Sequence, residues 1–121
     1  MKEYGPQDIR NIGLVSHQSI GKTTLEEAML YSAGVTNRFG TIDDGTTTSD
    51  YRSDEIDRKI SIGTTLMNLE WKKRKFNLID MPGYADFVGE VRCGLRVTDL
   101  AVVLINAVNG VEVGTDTVIE I

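Results

Sequence analysis

The chain has 121 residues, with 13 Lys+Arg against 18 Asp+Glu, a formal net charge of −5 and a sequence pI of about 4.8. With 40% hydrophobic and 26% charged residues it has the composition of a small globular domain, which excludes disordered and collagen-like classes. The acidic balance argues against bulk electrostatic binding to nucleic acid, though not against a local basic contact, and the longest mostly apolar stretch, Leu100 to Val108, is about half of what a bilayer span requires. Neither DNA nor a membrane is therefore an expected partner. The start, Met1 to Arg10, has no apolar signal segment, so a cytoplasmic protein is expected. A single cysteine, Cys93, can form neither an internal disulfide nor a zinc framework and is expected as a small buried side chain.

In chain order, Ile9 to Ser16 carries the short apolar run Ile12-Gly13-Leu14-Val15, as expected of a strand covered on both faces. Leu25, Ala28, Met29 and Ala33 then recur at helical spacing, with Glu26 and Glu27 on the other side and Gly34 as a natural stop. From Val35 to Ser61 the residues are polar with no steady period, which predicts a long functional loop; its acidic group Asp54, Glu55 and Asp57 reads as a solvated face. Thr65, Met67, Leu69 and Trp71 alternate with Leu66, Asn68 and Glu70, and Lys72-Lys73-Arg74-Lys75 turns this strand into Phe76-Asn77-Leu78-Ile79 as a hairpin. That basic run reads as a solvated turn rather than an RNA contact. Phe87, Val88, Val91 and Leu95 form the apolar face of a second helix, and Leu100 to Ile105 fits a buried strand. The tail, Val111 to Ile121, fits either a strand or the start of a helix. The order implies an α/β sandwich.

Between the first strand and the first helix lies Ser16-His17-Gln18-Ser19-Ile20-Gly21-Lys22-Thr23, which matches G-x-x-x-x-G-K-[ST] except at Ser16. A loop at a helix N-terminus offers consecutive backbone N–H groups and the positive end of the helix dipole to an anion. Gly21 permits close approach of a phosphate, Lys22 reaches the β- and γ-phosphates, and Thr23 offers a hydroxyl to Mg²⁺. The second apolar strand of the hairpin ends in Asp80-Met81-Pro82-Gly83, at the strand end where open α/β sheets bind ligands. Asp80 is expected to hold Mg²⁺ beside the phosphate loop, and the Gly83 N–H to bond the γ-phosphate. The fold expected is that of a P-loop nucleoside triphosphatase: a mostly parallel sheet with one antiparallel hairpin strand, stopping after the fourth strand.

These residues resemble the translational GTPases, elongation factor G in particular. Gly21-Lys22-Thr23-Thr24, with His17 before it, is similar to that family's phosphate loop, and Asp80-Met81-Pro82-Gly83-Tyr84-Ala85-Asp86-Phe87 resembles its D-T-P-G-H-x-D-F. With Gly45-Thr46-Thr47-Thr48-Ser49-Asp50-Tyr51, the pattern is most similar to elongation factor G-like paralogues that carry Tyr after D-x-P-G. The resemblance spans nearly the whole chain. It implies GTP and GDP as ligands with Mg²⁺, a ribosomal partner, and a long loop acting as a first switch. The family's R-G-I-T-I aligns with Arg58-Lys59-Ile60-Ser61-Ile62, which places its metal-binding threonine on Ser61, with Thr64 and Thr65 as neighbouring candidates. It also implies that the chain is the N-terminal part of a larger GTP-binding domain, with Leu100 to Ile105 as an open sheet edge through which the piece self-associates.

Three departures bear on function. Ser19 replaces the family's Asp in the phosphate loop, and Tyr84 replaces the histidine that positions the attacking water. Phenols ionise only near pH ~10 and are poor bases at neutral pH, so slow hydrolysis is expected. The guanine-reading N-K-x-D does not occur, so GTP is implied by resemblance alone. Lys22 and Tyr84 are the expected catalytic residues. Two alternatives stay open: a regulatory GTP-binding switch with little intrinsic hydrolysis, and a P-loop ATPase or small-molecule kinase, which also needs Gly21, Lys22, Thr23 and Asp80.

Overall fold

A computed structural model describes residues 2–121. Its elements run β1 (Ile9–Ser16), α1 (Lys22–Ser32), α2 (Ser53–Arg58), β2 (Thr65–Trp71), β3 (Arg74–Asp80), α3 (Val88–Leu95), β4 (Leu100–Leu104) and α4 (Val113–Ile119). The sheet has the order β2-β3-β1-β4. β1 is parallel to β3, from Ile9↔Lys75 to Leu14↔Asp80, and parallel to β4, from Ile12↔Leu100 to Ser16↔Leu104. β2 is antiparallel to β3. The register brings Ser16 and Asp80, at the carboxyl ends of two adjacent parallel strands, to the same end of the sheet.

Alternation along the strands feeds two cores. Leu78 of β3 packs with Leu30, Met67 and Leu69, joined by Ile12, Met29 and Ala33, so α1 covers one face. Ile79 packs with Val15, Met81 and Val91, joined by Leu95, Val103 and Val118, so α3 and α4 cover the other. Gly94 makes the second packing possible, because a Cβ there would lie 2.8 Å from Met81 Cγ and 3.5 Å from Ile79 Cγ2.

The structure departs from the sequence expectations at identifiable places. The face that α1 turns inward is formed by Lys22, Thr23, Glu26, Glu27 and Leu30, while Leu25 is 38% exposed. Glu26 and Glu27 are therefore not on a solvated side. Glu27 is buried because its carboxylate accepts the backbone N–H of Gly40 and of Thr48, tying the long loop to the helix. Inside that loop lies α2, a helix too short to show a hydrophobic period. Its Glu55 is buried rather than solvated, accepting the N–H groups of Ile62 at 3.1 Å and Gly63 at 3.2 Å. The hairpin turn is narrower than the basic run: Lys72 and Lys73 both have positive φ, whereas Arg74 and Lys75 already lie in β3. Phe87 sits in a 3-10 turn ahead of α3. Cys93 is exposed, since α3 turns Val91 and Gly94 inward instead. β4 is an edge strand with Leu100 58% exposed, so its first residues are not buried, and the tail is helical as α4. Among the described residues no helix is long and apolar enough to cross a membrane.

Candidate functional site

β1 ends in Ser16, and the chain then loops through residues 17–21 into α1. Two left-handed residues shape the loop, Ser19 at φ 58° and Gly21 at φ 100°. Gly21 takes this conformation without a Cβ penalty and serves as N-cap, its carbonyl accepting the Leu25 N–H at 3.0 Å. Ser19 takes it with a side chain, at a position where short polar residues tolerate it best.

The loop borders a cavity of about 370 Å³ lined by all of residues 16–23. Gly83 and Tyr84 line it from the β3 side, and Ile60 and Ser61 from the long loop. The approach of Gly83 to the loop is close: a Cβ there would lie 3.1 Å from the His17 carbonyl oxygen and 3.2 Å from the Gln18 nitrogen. The cavity thus gathers residues that lie far apart in the sequence. Thr24 is exposed on α1 and does not line it, and Met81 and Pro82 are buried behind it. Of the candidate hydroxyls on the switch segment, Ser61 lines the cavity. Thr64 Oγ1 instead donates to the Glu90 carbonyl at 3.4 Å, and Thr65 Oγ1 to the Ser49 carbonyl at 3.1 Å.

Beneath the loop is a buried charge cluster. Lys22 Nζ donates to Asp80 Oδ1, with both side chains buried, while Asp80 Oδ2 has no hydrogen-bond partner among the described residues. Glu26 is fully buried next to this pair, and both its oxygens are likewise unpartnered among the described residues. Burial, followed by the negative charge of Asp80, pushes its pKa up to about 10, so Glu26 is a neutral acid at pH ~7. Asp50 also lines the cavity; burial raises its pKa, opposed by the hydrogen bond from Ser61 Oγ at 2.6 Å. His17 lies 3.7 Å from Glu112 at the start of α4, which packs Gly114 against the imidazole.

Sequence reasoning did not single out Asp50, Glu26, Asp43 or Lys59 as site residues. Asp50 closes the polar Thr-Thr-Ser run, but nothing in its neighbours marks it as facing inward. Glu26 follows Lys22 at the i, i+4 spacing that places two residues on one helix face, which was a legible signal.

Thr23 and Ser61 line the cavity, whereas Asp80 is buried beneath it without lining it and has one oxygen with no hydrogen-bond partner among the described residues; two hydroxyls and a carboxylate are ligand types that fit a hard divalent cation such as Mg²⁺. The N–H-rich turn at a helix N-terminus fits a polyphosphate.

Residues 7–121 match the family model described as the elongation factor Tu GTP binding domain. The chain is 46% identical over 118 residues to a protein of Candida albicans named mitochondrial ribosome-releasing factor 2, covering 98% of this chain and 15% of that relative. It is 44% identical over 111 residues to elongation factor G of Granulibacter bethesdensis, covering 92% of this chain and 16% of that relative. A crystal structure from Thermus thermophilus superposes with a TM-score of 0.90 at 41% identity, over 93% of this chain and 17% of the other. The chain thus spans less than a fifth of the length of these relatives.

Proposed function

Because this chain belongs to the elongation factor Tu GTP binding domain family, we propose that it is the phosphate- and switch-bearing part of an elongation factor G-like GTPase. It binds GTP and GDP with Mg²⁺, hydrolyses GTP, and couples the nucleotide state to contact with the ribosome. Residues 1–121 form the N-terminal part of that GTP-binding domain, in a protein of an aqueous, ribosome-containing compartment; cytoplasm is the expected one. The observation that carries this reading is the convergence of the phosphate loop, Gly83 and Ser61 on one cavity over the Lys22–Asp80 pair.

The geometry supports the following roles. Backbone N–H groups of residues 16–24 and the α1 dipole hold the β- and γ-phosphates. Lys22 exchanges Asp80 for phosphate oxygens, which frees a carboxylate whose other oxygen already has no partner among the described residues. Thr23, Ser61 and Asp80 would hold Mg²⁺, Ser61 by releasing Asp50. The chemistry that Mg²⁺ would supply there is neutralisation of negative charge on the phosphates. Gly83 donates its N–H to the γ-phosphate. Tyr84, partly exposed on the cavity wall, orients water through its hydroxyl but does not take the proton efficiently.

Hydrolysis is therefore slow. In single-turnover assays of the full-length protein, Tyr84→His is expected to raise the rate of GTP hydrolysis by about 10-fold or more. Equal rates for the two proteins contradict the role given to Tyr84. A second reading, a GTP-dependent switch with little hydrolysis of its own, is favoured by Ser19 and Tyr84 together. It predicts little turnover in either protein, with or without ribosomes.

A further inference from the structure

Besides Lys22, a second lysine lines the cavity. Lys59 enters it from the switch segment, two residues before Ser61. It caps α2 in the left-handed region, at φ 56° and ψ 37°. Glycine holds this conformation without the clash that a Cβ brings, and the motif this segment resembles has glycine there. The chain therefore keeps a lysine where the backbone favours glycine, as it also does at Lys72 and Lys73 of the hairpin turn; what sets Lys59 apart from those two is that it lines the cavity. Among the described residues the ammonium is not committed elsewhere in the interior. It donates to Asp43 Oδ1 at 3.0 Å in a pair open to water, with the two side chains 54% and 89% exposed. A pair of that kind is held weakly and yields readily to a more highly charged anion. Lys22, by contrast, is buried under the phosphate loop and approaches from the α1 side.

We propose that Lys59 is a ligand-binding residue that donates its ammonium to the terminal phosphate of a bound nucleoside triphosphate, with Asp43 as its competing acceptor. The assignment rests on the reading of the cavity as a nucleotide site. A cation entering beside Ser61 from the switch segment meets the outer end of the phosphate chain, whereas a diphosphate presents no third phosphate to it. Lys59 thus makes this site discriminate triphosphate from diphosphate.

The test is equilibrium titration of the full-length protein with fluorescent GTP and GDP analogues. Lys59→Gln and Lys59→Gly are expected to weaken triphosphate affinity about 10-fold while leaving diphosphate affinity within about twofold, as for loss of a charge-assisted hydrogen bond. Lys59→Arg is expected to retain wild-type discrimination. Asp43→Asn is expected to tighten triphosphate binding about two- to threefold by removing the competing acceptor. Lys59→Gly also relieves the left-handed backbone, so a loss of affinity shared by both variants does not arise from added backbone strain. Unchanged triphosphate binding in both Lys59 variants, or an equal fall for both nucleotides, overturns the proposal. Lys22→Ala separates the two levels: loss of both nucleotides supports the site, whereas full retention overturns the nucleotide reading itself and the role of Lys59 with it.

Discussion

Glu26 is the residue at which the local physics is most costly. A fully buried carboxyl with two oxygens unpartnered among the described residues must be neutral in the fold, yet in the unfolded chain it ionises near its ordinary value of 4.5. The folded protein therefore binds a proton that the unfolded chain releases, and stability falls as pH rises from that value towards about 10. Glu26→Gln, which keeps the shape and abolishes titration, is expected to stabilise the nucleotide-free protein by about 1–2 kcal/mol at neutral pH and to change little near pH ~4. Chemical denaturation across pH ~4 to ~9 checks both the sign and the slope. Equal slopes for the two proteins would contradict a neutral Glu26. The Lys22–Asp80 pair beside it is also buried, but there the opposite charges offset each other and Lys22 Nζ satisfies Asp80 Oδ1, leaving Oδ2 without a partner among the described residues.

Among the elements, α2 and the segment after it depend on Glu55. One of its oxygens accepts the Arg52 N–H at 3.3 Å at the start of the helix, and the other accepts the N–H groups of Ile62 and Gly63, just beyond Ser61. A single carboxylate thus fixes the backbone next to the switch hydroxyl. Glu55→Ala leaves these N–H groups without that acceptor and is expected to cost about 1–3 kcal/mol locally. Amide hydrogen exchange at Ile62 and Gly63 reads this directly: protection should collapse there while β1 and β3 keep theirs. Unaltered protection at Ile62 and Gly63 would rule the latch out.

The elements differ in how far the sequence revealed them. β1, the hairpin strands and α3 were legible because their apolar residues follow strand or helix periods, and Gly21-Lys22-Thr23 lies at the predicted strand-to-helix junction. α2 was not legible, because a six-residue polar helix held by Glu55 has no hydrophobic period to read. The inward face of α1 was misread for a related reason. Its burial follows from hydrogen bonding of Glu27 to Gly40 and Thr48, a contact made by a loop with no period of its own. At the site, the phosphate loop and Asp80-x-x-Gly83 could be placed from strand ends. Asp50 and Lys59 could not, since their entry into the cavity depends on the path of that same loop.

For the whole molecule, the sheet leaves β4 at one edge, with Leu100 and neighbouring Val97 exposed. An apolar edge of this kind pairs readily with another strand. The 121-residue chain by itself is expected to self-associate, and Leu100→Lys to reduce it, as seen by sedimentation velocity over a concentration series. A monodisperse monomer of the unmutated chain at all concentrations would contradict this.

The cavity over Lys22 and Asp80 is proposed as a guanine nucleotide site. Its most direct test is competition of GTP, GDP and ATP for a fluorescent GTP analogue bound to the full-length protein, with Lys22→Ala alongside. Displacement by GTP and GDP, little by ATP, and no analogue binding to Lys22→Ala are the expected results. Displacement by ATP as effective as by GTP, or undiminished binding to Lys22→Ala, would contradict the assignment.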